Sequence, residues 1–216
     1  MNELTKIGKR YGTDKAGPQH NYTEVAYHGL LEPLRDKNIN LLELGVGDTG
    51  ASVKMWKEYL PAANIILFDP FFITDEAVTV TPEELRNFGI KVYKGNQLDR
   101  ADLLNVALCE SEKFDVIIDD ASHLSDGMQI SLATLFPYLK DGGIYIIEDL
   151  SSARSRDSRL AAVNAWLDGT TVDQSHKKIY HQKEIHILDS LSVYREMGKW
   201  NSIHLSDKEK SYLEKN

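Results

Sequence analysis

From Ile39 towards the C-terminal region, short apolar runs alternate with segments whose apolar residues recur three and four positions apart. The runs Ile39 to Leu44, Asn64 to Phe68, Ile90 to Tyr93, Phe114 to Ile118 and Ile144 to Ile147 are short and almost wholly apolar. That is the signature of strands buried on both faces, so they predict five parallel strands. Between them, Met128, Leu132, Leu135, Phe136 and Leu139 mark one face of a helix, with Ser125-Asp126 placed to cap it, and Ser52, Trp56, Tyr59 and Leu60 mark another. Ahead of the sheet, Tyr22, Ala26, Gly29, Leu30 and Pro33 predict an N-terminal helix. From Ile179 to Met197 two β-rich runs flank Asp189-Ser190, a connection too short for a parallel crossover and suited to an antiparallel hairpin. The pattern is α/β, with an arm and helix over 1–36, a core over 37–200 and a polar tail over 201–216.

Length and composition narrow the class. A chain of 216 residues fits one domain, with enough core to fold without disulfide or structural metal. At 42% hydrophobic and 27% charged, with 14 Gly and 6 Pro, it is neither disordered nor collagen-like. The single Cys109 and the start Met1-Asn2-Glu3-Leu4-Thr5, which lacks a signal-peptide pattern, predict a reducing, cytoplasmic setting. A net charge of -8 disfavours nucleic acid and anionic lipid, and no apolar run is long enough to span a membrane. A small-molecule partner is the expectation.

The first run leads into Leu44-Gly45-Val46-Gly47-Asp48-Thr49-Gly50, a Gly-x-Gly-x-x-Gly turn between strand and helix where small residues let a ligand approach the backbone. Asp69 ends the second run, where a carboxylate can accept both ribose hydroxyl protons, and the pair implies an adenosine-containing cofactor. Glu43, two residues before the first glycine, would be a charge at the end of a buried strand and calls for a cation. The ammonium and sulfonium of S-adenosylmethionine answer that demand; the pyrophosphate of a nicotinamide dinucleotide does not. On these residues the chain resembles class I S-adenosylmethionine-dependent methyltransferases. The resemblance implies a Rossmann-like, mostly parallel seven-stranded sheet ordered 3-2-1-4-5-7-6, with helices on both faces and an antiparallel C-terminal hairpin. It also implies that Asn96 and Gln97, after the third strand, contact adenine.

Two further strand ends are acidic: Asp119-Asp120-Ala121-Ser122-His123 and Glu148-Asp149. In a parallel sheet they are neighbours, so four carboxylates and an imidazole converge beside the cofactor crevice and require a cation. Oxygen ligands favour Mg²⁺ or Mn²⁺ over Zn²⁺. The cluster resembles that of metal-dependent O-methyltransferases, and most closely the sugar O-methyltransferases of macrolide and tetracenomycin biosynthesis. Asp-Asp-x-Ser-His, Glu-Asp-Leu and the early Tyr11-Gly12-Thr13-Asp14-Lys15 all recur in that family. The resemblance implies Asp120, Glu148 and Asp149 as metal ligands and His123 as general base. It implies a cofactor set of Glu43, Gly45, Gly47, Asp69, Asn96, Gln97 and Asp119, joined by Thr13 and Lys15 from an N-terminal lid. The macrolide sugar enzymes are longer and carry an additional N-terminal region, so contacts made by that region do not transfer.

His20 and Tyr22 follow the early motif and are placed to touch cofactor or substrate, with Lys15 placed to neutralise the cofactor carboxylate. Arg154, Arg156 and Arg159 can either hold an anionic substrate or form a solvated face, and Trp166 reads as packing. The function these residues predict is methyl transfer from S-adenosylmethionine to a sugar hydroxyl, in a chain whose default assembly is a homodimer. Two readings stand beside it. One is an NAD(P)-dependent oxidoreductase, which leaves the carboxylate cluster without a task; the other is a non-catalytic cofactor-binding domain.

Overall fold

The fold is that of residues 1–18, 20–71, 78–149, 184–187 and 201–203, which the computed structural model describes. Its centre is a parallel sheet of β1 (Asn40–Leu44), β2 (Asn64–Asp69), β3 (Lys91–Lys94), β4 (Phe114–Asp119) and β5 (Leu139–Ile147), ordered 3-2-1-4-5. All five runs read as strands are strands in the expected order, forming an α/β, Rossmann-like core. β1 pairs with β2 on one side and β4 on the other, so the chain reverses its direction of travel across the sheet between them. Ligands of open α/β sheets settle in the crevice outside the strand ends at such a reversal.

Alternation along β1 divides the core. Leu41 packs with Ile65, Leu67, Val116 and Ile118 on one face, beneath Leu4, Ile7, Tyr27, Trp56 and Tyr59. Leu42 and Leu44 pack with Ile66, Phe68 and Ile117 on the other, beneath Leu103, Val106, Met128 and Leu132. The first face is covered by α1 (Glu3–Tyr11), α2 (His28–Leu31) and α3 (Ala51–Tyr59). Helix α4 (Pro82–Asn87) begins with a capping box between Thr81 and Glu84 and leads into β3. The second face is covered by α5 (Arg100–Cys109) and α6 (Ser125–Leu135).

Several local expectations need correction. Helix α1 was not anticipated, although Asn2 caps it by accepting from the Thr5 amide and Gly12 ends it at φ 76°. The N-terminal helix expected from Tyr22 to Pro33 is present as one continuous helical run that changes pitch, widened at Thr23–Tyr27, regular over α2 and tightened at Glu32–Leu34. It buries Tyr22, Ala26, Tyr27 and Leu31, whereas Gly29 and Pro33 are exposed. Leu124 occupies the capping position of α6, one residue before the expected Ser125-Asp126, which lies in the first turn. Pro137 supplies no amide proton, so the helix stops before it and Leu139 opens β5 instead of extending the helical face.

Beyond β5, two short strands among the described residues extend the sheet. β6 (Glu184–Ile187) lies parallel to β5, and β7 (Asn201–Ile203) pairs antiparallel with β6 at the edge. These pairings give 3-2-1-4-5-6-7 in place of the expected 3-2-1-4-5-7-6. The expected turn at Asp189-Ser190 and the run that follows it lie outside the described residues, and β7 starts at Asn201. An antiparallel pair can dock either strand on the sheet, and the long segment after β5 is ample for a parallel crossover. β7 takes the first three residues of the expected polar tail over 201–216, and the rest of that tail lies outside the described residues, as do Arg154, Arg156, Arg159 and Trp166. Among the described residues no helix is long and apolar enough to cross a membrane.

Candidate functional site

The sheet's hydrogen-bond ladder continues past the strands, and this positions the site. The Gly45 amide donates to Phe68 O (2.9 Å), the Asp120 amide to Leu44 O (3.1 Å) and the Glu148 amide to Asp119 O (3.0 Å). The carboxyl ends of β1, β4 and β5 are thereby held side by side. Gly45, at φ 98°, lies so close to β4 that a Cβ would stand 2.1 Å from Asp120 O. Its smallness is required for packing. Gly47, at φ 57°, has no heavy atom within 4 Å of a notional Cβ, so the turn is open there.

Glu43 is fully buried at the end of β1. One carboxylate oxygen accepts from Ser52 Oγ (3.1 Å) and Trp56 Nε1 (2.9 Å), while Oε1 accepts no hydrogen bond. Burial pushes its pKa up to about 7 against the pull of a cation, Lys15, whose Nζ is 3.6 Å away. Asp69 uses both oxygens on backbone, accepting from Val46 N (3.0 Å) and Phe71 N (2.6 Å), and so fixes the turn from the β2 side.

Lys15 is the centre of the cluster. Its side chain is 1% exposed, and its ammonium contacts Asp120 Oδ2 and lies 2.9 Å from Glu148 Oε2. Burial opposes its charge, but the surrounding Asp120, Glu148 and Glu43 carboxylates outweigh that and hold its pKa well above the usual value. Glu148 is equally buried; its other oxygen accepts from Tyr27 OH, and burial drives its pKa well up. Glu148 therefore faces inward, towards Lys15 and Tyr27.

Nearer the surface, one ligand atom each from Asp120, His123 and Asp149 lie within 4.8 Å of one another. His123 Nε2 is 3.9 Å from Asp120 Oδ1, and its Nδ1 is buried without a hydrogen-bond partner. Asp149 Oδ1 accepts from Tyr22 OH (2.8 Å) and is 3.4 Å from His20 Nδ1. Burial alone would raise the Asp149 pKa; His20 and Tyr22 outweigh it and hold it at about 2. Both His123 (φ 52°) and Asp149 (φ 56°) adopt the left-handed region, which costs a non-glycine residue about 1–2 kcal/mol. Strain of this kind gathers where side chains must be aimed.

The remaining sequence candidates divide. Gln97 is buried and donates to Asp119 Oδ1 (2.7 Å) and Ser131 Oγ (3.2 Å), while its carbonyl accepts from Ser122 N (3.1 Å) and Ser122 Oγ (2.6 Å). Asp119, which also accepts from Ser131, is 1% exposed and is pushed up to about 7 by burial. This pair braces the β4 end from below. Asn96 is exposed and accepts from Leu98 N (3.0 Å). Thr13 is buried, and its amide donates to Gly8 O (3.1 Å) at the end of α1. Thr13, Lys9, Gly12, Asp14 and His20 help to line a cavity of about 430 Å³ on the N-terminal arm. Tyr27, Ser52, Trp56 and Ser131 were not foreseen as site residues. Nothing in the sequence around them marks a site, and only the fold shows that each polar atom faces a carboxylate.

The donor set suits both groups that the sequence called for. Glu43 Oε1, ion-paired with Lys15 at 3.6 Å but accepting no hydrogen bond, keeps capacity for a cationic cofactor at the turn that follows it, and the Asp120, His123 and Asp149 group suits a divalent ion. Among relatives, the chain is 34% identical over 157 residues to the 8-demethyl-8-(2-methoxy-alpha-L-rhamnosyl)-tetracenomycin-C 3'-O-methyltransferase of Streptomyces olivaceus, covering 70% of this chain and 37% of that one. It matches the mycinamicin VI 2''-O-methyltransferase of Micromonospora griseorubida with the same identity and coverage. A solved structure of the MycE methyltransferase from the mycinamycin biosynthetic pathway, in complex with Mg, SAH and mycinamycin VI, superposes with a TM-score of 0.62. Identity to it is 28%, over 77% of this chain and 47% of MycE. The chain thus spans well under half the length of the curated relatives it matches. Residues 35–215 match the family model described as a methyltransferase domain, and the chain belongs to that family.

Proposed function

We propose that the chain transfers a methyl group from S-adenosylmethionine to a hydroxyl of a sugar or glycoside, with a divalent ion, Mg²⁺ or Mn²⁺, at the Asp120/Asp149 end of the site. The observation that carries this reading is the convergence of Asp120, His123 and Asp149 within 4.8 Å, beside the open turn after Glu43. The tetracenomycin and mycinamicin relatives, sugar O-methyltransferases by name, support the acceptor class.

In this reading Glu43 holds the cationic end of the cofactor, and the open face at Gly47 admits it. Asp120 and Asp149 hold the ion; Mg²⁺ is commonly bound through one or two carboxylates, leaving positions for water and substrate oxygens. When bound, the ion supplies positive charge that favours the deprotonated form of an acceptor hydroxyl. Glu148, expected as a third ligand, is committed to Lys15 and Tyr27 behind this pair. His123, with Nδ1 free of other partners, takes the hydroxyl proton. His20 and Tyr22 keep Asp149 oriented and ionised. Orientation of acceptor oxygen against methyl group can contribute roughly 7–11 kcal/mol, more than basicity alone.

The test is calorimetric titration with S-adenosylmethionine and with Mg²⁺, on the parent and on Asp120→Ala, followed by methyl transfer to a panel of glycosides. Binding of both, with only the ion lost in the variant, supports the reading. Cofactor binding with no ion bound would leave a metal-free transferase or a non-catalytic domain, and preference for NAD would restore the oxidoreductase. His123→Ala should abolish most turnover while cofactor affinity stays within about twofold; undiminished turnover would remove His123 as the base.

A further inference from the structure

The buried ammonium of Lys15 stands between the two halves of the site, and the family pattern gave it no such place. Its side chain enters from the N-terminal arm, outside the sheet, and reaches carboxylates at three strand ends: Glu43 on β1, Asp120 after β4 and Glu148 after β5. Asp120 is shared. Its Oδ2 contacts Lys15, while its Oδ1 faces His123 Nε2 at 3.9 Å, within the group that suits a divalent ion. We propose that Lys15 is a resident counter-ion that competes with the divalent ion for Asp120 and, through Glu43, links the ion's affinity to the cofactor side of the site.

The argument is one of charge and distance and rests on the metal-dependent reading above. Glu43 and Glu148, both buried, with the partly buried Asp120 beside them and no cation would be very unfavourable, and Lys15 makes the ion-free site tolerable. Two cations on one carboxylate repel strongly where water is excluded, so a divalent ion on Asp120 must loosen Lys15. The lysine then leans more on Glu148 and Glu43, whose Oε1 is the buried oxygen with no hydrogen-bond partner. A cationic cofactor beside Glu43 competes for that same support. Lys15 is thus a positioning residue, and the sign of its coupling is antagonistic.

The experiment is Mn²⁺ titration by calorimetry, with thermal unfolding in parallel, on the parent, Lys15→Met and Glu43→Gln. Lys15→Met should bind Mn²⁺ about tenfold more tightly or better. It should be less stable than the parent without the ion and regain most of the difference with it. Glu43→Gln touches no proposed ion ligand and leaves the lysine only Asp120 and Glu148. It should weaken Mn²⁺ binding about threefold or more, and it keeps the inference testable if Lys15→Met does not fold. Parent-like Mn²⁺ affinity in Glu43→Gln, or in a folded Lys15→Met, overturns the role of Lys15 and leaves the metal reading standing. No Mn²⁺ binding by the parent or either variant overturns both.

Discussion

Glu43 shows how one side chain couples stability to chemistry. Its folded-state pKa, raised to about 7 by burial, exceeds the ordinary carboxylate value, so between those two pH values the folded chain holds a proton that the unfolded chain releases. The associated stability is full below the unfolded pKa and is lost as pH rises through about 7. Asp119, also near 7, adds in the same direction; Asp149, near 2, acts oppositely and only in acid. The ligand-free protein should therefore be more stable near pH 5 than near pH 8, by the order of 1–3 kcal/mol in urea unfolding. Glu43→Gln should flatten the dependence, and a slope unchanged in that variant would show that Glu43 does not titrate in this range. That Glu43 wants a cation was legible from its place before the glycine turn. That a lysine 28 positions earlier answers the demand was not, because nothing in Thr13-Asp14-Lys15 distinguishes a buried ammonium from a solvated one.

Among elements, the turn after β1 separates packing from binding within three residues. Gly45→Ala would force a methyl group against the Asp120 carbonyl and should cost several kcal/mol or prevent folding. Gly47→Ala meets no atom and should cost only about 1–2 kcal/mol for its left-handed backbone, yet narrow the open face and weaken cofactor binding. Thermal unfolding and cofactor titration on the two variants separate these roles; equal stability loss would refute the distinction. The five strands were readable because burial on both faces leaves uninterrupted apolar runs. Helix α1 carried a signal, with Leu4, Ile7 and Gly8 buried on one face between an Asn2 cap and the Gly12 stop, but its short apolar stripe sits in a polar setting. Gly8 reveals why the stripe is small: a Cβ there would stand 2.6 Å from Ala16 Cβ and 2.8 Å from Met55 Sδ, so α1 and α3 approach closely. The order of strands beyond β5 was not readable, since two short runs joined antiparallel fit the sheet edge in either arrangement.

For the whole molecule, the N-terminal arm is more than a cover. It contributes Leu4, Ile7, Tyr22 and Tyr27 to the core, and Lys15 and His20 to the site. Removing residues 1–15 should therefore both expose apolar surface and strip the buried carboxylates of their cation. The loss in thermal stability should exceed that of Lys15→Met, and a divalent ion should restore only the electrostatic part. Full restoration by the ion would mean that the apolar contacts of α1 contribute little. The bonds from Asp120 to Leu44 and from Glu148 to Asp119 are main-chain bonds, so the spacing between the Glu43 end and the Asp120 end is a property of the peptide ladder. Side-chain substitutions can change what each end holds but not how far apart the ends are. In the proposed reaction the sheet would thus act as a fixed gauge for methyl donor against acceptor oxygen, and accommodation of acceptors of different size would fall to the arm that borders it.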